Sequence, residues 1–182
     1  VVAPVTPADA RGLLKAAIRD PRPVIFLEHK LLYNLRGEVD AEEEGLVEIG
    51  KARTVRAGTD VSLIASSKMV IEAEKAAEAL ARDGISAEVI DLRTLRPLDT
   101  ATVIASLRKT NRLMIVEEGW PVCSIASELA MVAMEQAFDD LDAPVLRVCD
   151  EDVPLPYAAN LERAAIIDAD KVVAKARMLC NR

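Results

Sequence analysis

The sequence predicts an α/β fold, with helices packed on both faces of a largely parallel sheet. Beyond residue 50, short runs rich in Val, Ile and Leu alternate with segments of helical period, the signature of repeated βα units. Hydrophobic residues make up 51% of the chain but aromatics only 3%. The core must therefore be built from Ala, Val, Leu and Ile, which suits helices laid on a sheet. At 182 residues the chain can bury one core and carry a small appendage.

Thr6-Pro7-Ala8-Asp9 reads as a helix start: a hydroxyl cap, a proline whose missing N–H costs nothing there, and an acid that favours the dipole. Leu13, Leu14, Ala17 and Ile18 then give an apolar stripe at helical spacing. Asp20-Pro21-Arg22-Pro23 stops it. Val24–Leu27 predicts a buried strand. Tyr33 to Gly50, with its glycines and the acidic run Glu42–Glu44, has no clean period and reads as a surface connection, with a boundary near residue 48.

From there Lys51–Arg56 is expected as an edge strand, Gly58-Thr59 as a turn and Val61–Ala65 as an inner strand. Ser66-Ser67 are placed to cap a helix Lys68–Arg82, which Gly84 ends. Ala87–Leu92 is a strand, Asp99–Lys109 a helix, Leu113–Glu117 a strand, Ser124–Phe138 a helix, Val145–Cys149 a strand and Asp168–Leu179 a closing helix.

The formal charge of −7 argues against nucleic acid as a partner, because a phosphate backbone rewards clustered Lys and Arg. No apolar run approaches the ~20 residues that cross a bilayer, so no membrane partner is expected. Val1–Pro7 lacks the basic start and apolar stretch of a signal peptide. Cys123, Cys149 and Cys180 form no CxxC pair and suit a reducing compartment.

Three loops follow strand ends, where open α/β sheets meet ligands and partners: Arg93–Asp99, Glu117–Pro121 and Asp150–Tyr157. Glu117 and Glu118 could serve as an acid/base pair, and Asp150, Glu151 and Asp152 could hold a divalent cation. Neither pattern is specific. Adjacent residues at a strand end point apart, and hard cations need ligands converging from several elements. No GxGxxG, GxxxxGK[ST] or GxSxG occurs, and a serine nucleophile at Ser66 or Ser67 would have only His29 as its base. Trp120 between Gly119 and Pro121 suits an interface anchor or a ring on the core edge. Pro154 and Pro156 stiffen a loop ending in Tyr157, which suits either binding or plain rigidity.

The runs Glu88–Asp99, Glu117-Glu-Gly-Trp-Pro121, Leu141-Asp-Ala-Pro-Val145 and Asp152–Glu162, with Ala8–Pro21 and Phe26–Tyr33 upstream, resemble the beta subunits of thiamine-diphosphate-dependent 2-oxoacid dehydrogenases. Pyruvate dehydrogenase is the first choice within that group, and the wider likeness is to the transketolase C-terminal domain family. Within the pattern His29 stands where relatives commonly carry Asn, Ser66 where they carry His, and Lys68 where they carry Arg. The resemblance implies a three-layer α/β/α domain over residues 49–182 with a five-stranded mixed sheet, preceded at 1–48 by the tail of a pyrimidine-binding domain and a linker.

It also implies that the full complex decarboxylates pyruvate on thiamine diphosphate with magnesium and passes the acetyl group to lipoamide. No residue of this chain matches a catalytic, cofactor-binding or metal position of the family, and neither cofactor is expected on it. Implied partners are a second copy (a dimer), the alpha subunit, and the peripheral-subunit-binding domain of the acyltransferase core. The candidate interface is Glu117, Glu118, Trp120, Asp150, Glu151, Asp152, Pro154, Pro156 and Tyr157. The location is the cytoplasm for a bacterial protein and the mitochondrial matrix for a eukaryotic one. Branched-chain 2-oxoacid or acetoin dehydrogenase beta subunits, and a non-catalytic scaffold of the same fold, are the alternatives. A helix and strand left at residues 8–27 without their own sheet predict self-association and a mobile N-terminal segment.

Overall fold

The computed structural model describes residues 1–40 and 44–181; Glu42 and Glu43 of the acidic run lie outside them. Five strands form one mixed sheet: β1 (Arg53–Arg56), β2 (Val61–Ala65), β3 (Ala87–Asp91), β4 (Leu113–Glu117) and β5 (Leu146–Cys149), in the order β1-β3-β2-β4-β5. Only β1 runs antiparallel, at the edge beside β3; β2 pairs in parallel with β3 and β4, and β4 with β5. The six helices are α1 (Pro7–Arg19), α2 (Met69–Arg82), α3 (Thr100–Thr110), α4 (Ile125–Ala137), α5 (Ala159–Ala165) and α6 (Ala169–Leu179).

The strand alternation sorts the core into two layers. Leu63, Ala65, Val89, Met114 and Val116 face α2 and α6, while Ile64, Ile90, Leu113 and Ile115 face α3 and α4. Inner strands buried on both faces read as continuous apolar runs, which is why β2 and β4 stand out in the sequence. One polar set interrupts the α3 side. The Ser62 hydroxyl meets those of Ser106 (2.6 Å) and Thr110 (2.7 Å), and Ser106 donates to Glu88 (2.6 Å). These polar groups are tolerated in the core because each has a partner.

The cap expected at Thr6 is found, and α3 and α6 are capped in the same way. Thr6 accepts from the Asp9 N–H at the start of α1, Asp99 from Thr102 at α3, and Asp168 from Lys171 at α6. Gly84, at φ +76°, turns the chain after α2, a backbone that lets it end the helix. The caps expected at Ser66 and Ser67 are absent. Neither hydroxyl caps α2; their carbonyls accept from Met69 (3.2 Å) and Val70 (3.1 Å) instead. Ser67 sits at φ +52°, so the turn is made by the backbone.

The N-terminal segment departs most from expectation. Val24–Leu27 forms no buried strand: a single bridge joins Val2 to Phe26, and Ile25 and Leu27 stay exposed. Alternating side chains need a covered face, and nothing covers this one. In α1 only Leu13 of the apolar stripe is fully buried, while Ile18 is 76% exposed. The segment is nevertheless tied to the domain. Val2 bridges Thr94, Ala3 N–H donates to the Arg93 carbonyl (2.8 Å), and Leu95 N–H donates to Val1 (2.9 Å). Helix α5 has no apolar period, since Ala165 is its one buried residue, and it was not expected from the sequence.

Candidate functional site

Helix α2 leaves β2 toward one face of the sheet, and α4 leaves the adjacent β4 toward the other. The chain thus opens a crevice at the carboxyl ends of β2 and β4, where α/β sheets commonly take ligands. A cavity of about 230 Å³ lies there, lined by Ser66, Ser67, Glu117, Glu118 and, from the N-terminal segment, Glu28 and His29.

The two glutamates part company at this point. Glu117 turns onto the start of α4, accepting from Ile125 N–H (3.1 Å) and Ala126 N–H (2.6 Å), while Ser124 accepts from Ser127 N–H (3.1 Å). Its negative charge sits on the positive end of the helix. Glu118 points the other way. One oxygen lies 2.7 Å from His29 Nε2, the other 3.9 Å from Lys68 Nζ. His29 Nδ1 accepts from Leu31 N–H (3.2 Å), so in the neutral ring the proton sits on Nε2 and is donated to Glu118. The pair the sequence offered as acid and base is therefore one helix cap and one tether.

The third loop is built in the same way. Asp150 is buried and accepts from Ile167 N–H (2.9 Å); burial raises its pKa above the ordinary carboxylate value. Glu151 and Asp152 face solvent. No three of the His, Cys, Asp and Glu side chains among the described residues are placed to share a metal ion. With Glu117 and Glu118 committed elsewhere, the crevice does not fit a diphosphate carrying magnesium.

What these loops do present is apolar surface. Trp120 is half exposed and donates from Nε1 to the Val153 carbonyl (3.2 Å), joining two loops. Leu155 and Tyr157 project beyond it, with Pro154 exposed and Pro156 partly buried. On the outer face of α4 Met131 and Met134 are exposed, as is Phe138 just past its end, although Leu129 and Ala133 are buried on its inner face. The His29–Glu118 contact and a buried charge cluster at Asp9, Arg53, Asp91 and Arg93 were not legible in the sequence. Their ion pairs join residues 38 to 89 positions apart, and the one local sign was an Asp and an Arg flanking Leu92 at a strand end.

A five-stranded mixed sheet of this order, with helices on both faces, defines a domain of the transketolase C-terminal class. Residues 50–172 match the family model described as "Transketolase, C-terminal domain", and the chain belongs to that family. It is 51% identical over 185 residues to the pyruvate dehydrogenase E1 component subunit beta of Dictyostelium discoideum, covering all of this chain and 52% of that protein. Against the pyruvate dehydrogenase E1 component subunit beta of Rhizobium meliloti (strain 1021) it is 51% identical over 182 residues, covering all of this chain and 40% of the relative. The chain thus spans about half the length of the curated relatives it matches. Among solved structures it superposes on a split-gene transketolase described as an inactive beta4 tetramer, with TM-score 0.81 and 26% identity, over 99% of this chain and 56% of the other.

Proposed function

We propose that this chain is the C-terminal part of a pyruvate dehydrogenase beta subunit and that its own work is assembly. The observation carrying this reading is about 51% identity along the whole chain to such subunits. In the full complex, pyruvate is decarboxylated on thiamine diphosphate with magnesium and the acetyl group passes to lipoamide. The cofactor supplies the carbanion chemistry and is bound outside this chain. Residues 1–48 are the tail of the pyrimidine-binding domain with its linker, and residues 49–182 the C-terminal domain. The protein works in the mitochondrial matrix of a eukaryote or the cytoplasm of a bacterium.

Two surfaces support the assembly role. The outer stripe of α4, Met131, Met134 and Phe138, suits a second copy, because side chains at that spacing can pack against themselves across a two-fold axis. The Trp120–Tyr157 surface, flanked by Glu151 and Asp152, suits the alpha subunit or the basic peripheral-subunit-binding domain of the acyltransferase core. Co-expression of the complete beta chain with an alpha subunit tests the reading. A stable hetero-oligomer that decarboxylates pyruvate is expected; thiamine diphosphate binding to residues 1–182 alone, by calorimetry, would overturn it. Reversing charge at Glu151 and Asp152 should weaken docking to the core, and unchanged docking removes these acids from that site.

A further inference from the structure

Four charged side chains from α1, β1 and the end of β3 meet at the sheet edge. Asp9, in the first turn of α1, is 3% exposed. Its Oδ2 lies 3.0 Å from Arg53 Nη2 and accepts from the Thr6 hydroxyl (2.7 Å), and its Oδ1 lies 3.3 Å from Arg93 Nη1. Asp91 is fully buried and accepts from the Arg93 N–H at Oδ1 (2.9 Å). Arg53 Nη2 stands 3.6 Å from Asp91 Oδ2. Among the described residues, neither Asp91 Oδ2 nor Arg53 Nε has a hydrogen-bond partner. The Arg93 guanidinium also donates to the carbonyls of Lys51 (3.1 Å) and Ala52 (3.3 Å), joining the approach to β1 to the same cluster. Further out, Glu74 on α2 acts on Arg53 and Arg56, with Glu78 beside it.

We propose that Asp9, Arg53, Asp91 and Arg93 form a proton-sensitive clamp that sets how firmly α1 is held against the sheet edge. The geometry gives the direction. Arg53 sits closer to Asp9 than to Asp91, and the dry Asp91 oxygen is left without a donor. A buried, ionised and half-satisfied carboxylate is costly. With a proton on Asp91 the cost disappears and both guanidiniums serve Asp9. Without it, Asp91 competes for Arg53 and weakens the hold on α1.

Burial, the largest influence, and the neighbouring Asp9 push the Asp91 carboxyl up to about 7, against the pull of the Arg93 N–H, Arg53 and Arg93. That value lies above the ordinary aspartate range. The stability gained from the proton is therefore complete in acid and is lost as pH rises through about 7. Helix α1 is firmly clamped below neutrality and looser above it.

Hydrogen exchange of α1 amides, read by mass spectrometry on the full-length protein and corrected for intrinsic rates, tests this. Protection should fall roughly tenfold between about pH 6 and about pH 8, the change that one pKa unit of coupling carries. In Asp91→Asn it should be independent of pH. Arg53→Gln removes a positive charge that pulls the proton off Asp91, so it should move the fall to higher pH, and it carries the test if Asp91→Asn does not fold. A flat profile in the unmodified protein, a pH-dependent one in Asp91→Asn, or an undisplaced fall in Arg53→Gln overturns the clamp.

Discussion

Replacing Glu117 by Ala separates the structural role of this residue from the chemical one its position suggests. The carboxylate accepts two N–H groups at the start of α4, at 3.1 and 2.6 Å. Losing a cap costs about 0.5–2 kcal/mol, and removing a charge from a helix N-terminus adds about 0.3–1 kcal/mol. Ser124 still caps Ser127, so the helix start is not wholly stripped. The total is about 2 kcal/mol, a fall of roughly 4–8 °C in Tm for a domain of this size. Thermal and urea unfolding followed by circular dichroism would measure it. Glu118→Ala is the control. It removes a partly exposed contact with His29 and Lys68, worth about 0–1 kcal/mol. The reasoning is refuted if Glu118→Ala costs as much as Glu117→Ala, or if the latter costs under about 0.5 kcal/mol. Glu117→Gln, which keeps one acceptor oxygen, should cost less and leave turnover of the assembled enzyme within about twofold. A general acid or base would lose about 10²–10⁴-fold.

Other perturbations follow from the same contacts. A Cβ at Gly58 would clash with the Ala87 carbonyl carbon and the Glu88 nitrogen; Gly58→Ala should therefore displace β3 backbone and lower stability by more than about 1 kcal/mol in urea unfolding. Leu129→Ala, fully buried between α4 and the sheet, should cost about 2–5 kcal/mol in the same measurement. Asp99 is held below the ordinary carboxylate range: burial raises its pKa, but the N–H groups of Ala52 and Thr102 and the Thr102 hydroxyl outweigh it. Its contribution is present above the ordinary aspartate range and lost as pH falls through its own lowered value, so Asp99→Ala should flatten the acid limb of the stability profile. Trp120→Ala, at a half-exposed ring, should change stability by under about 1 kcal/mol yet weaken association, measured by light scattering, with the greater loss in association.

Across residues 51–180 the strands and the longer helices were legible in the sequence because their signals are local; the short α5 was not. Continuous apolar runs marked β2 and β4, apolar residues at helical spacing marked α2, and Gly84 stood where a left-handed turn ends α2. Each of these follows from a side chain and its near neighbours. The sequence also placed the chain in its family, since motif order and spacing survive without any knowledge of contacts. Tertiary structure decided what each loop carboxylate does. Glu117 and Glu118 are adjacent in sequence, yet one closes α4 and the other reaches back to His29, because successive residues at a strand end point apart. Val24–Leu27 has strand composition but no strand neighbour, and β structure exists only through pairing. The clamp of Asp9 with Arg53, Asp91 and Arg93 joins positions up to 84 residues apart. Only folding brings them together, and only the dryness of the place where they meet gives Asp91 its hold on a proton near neutrality.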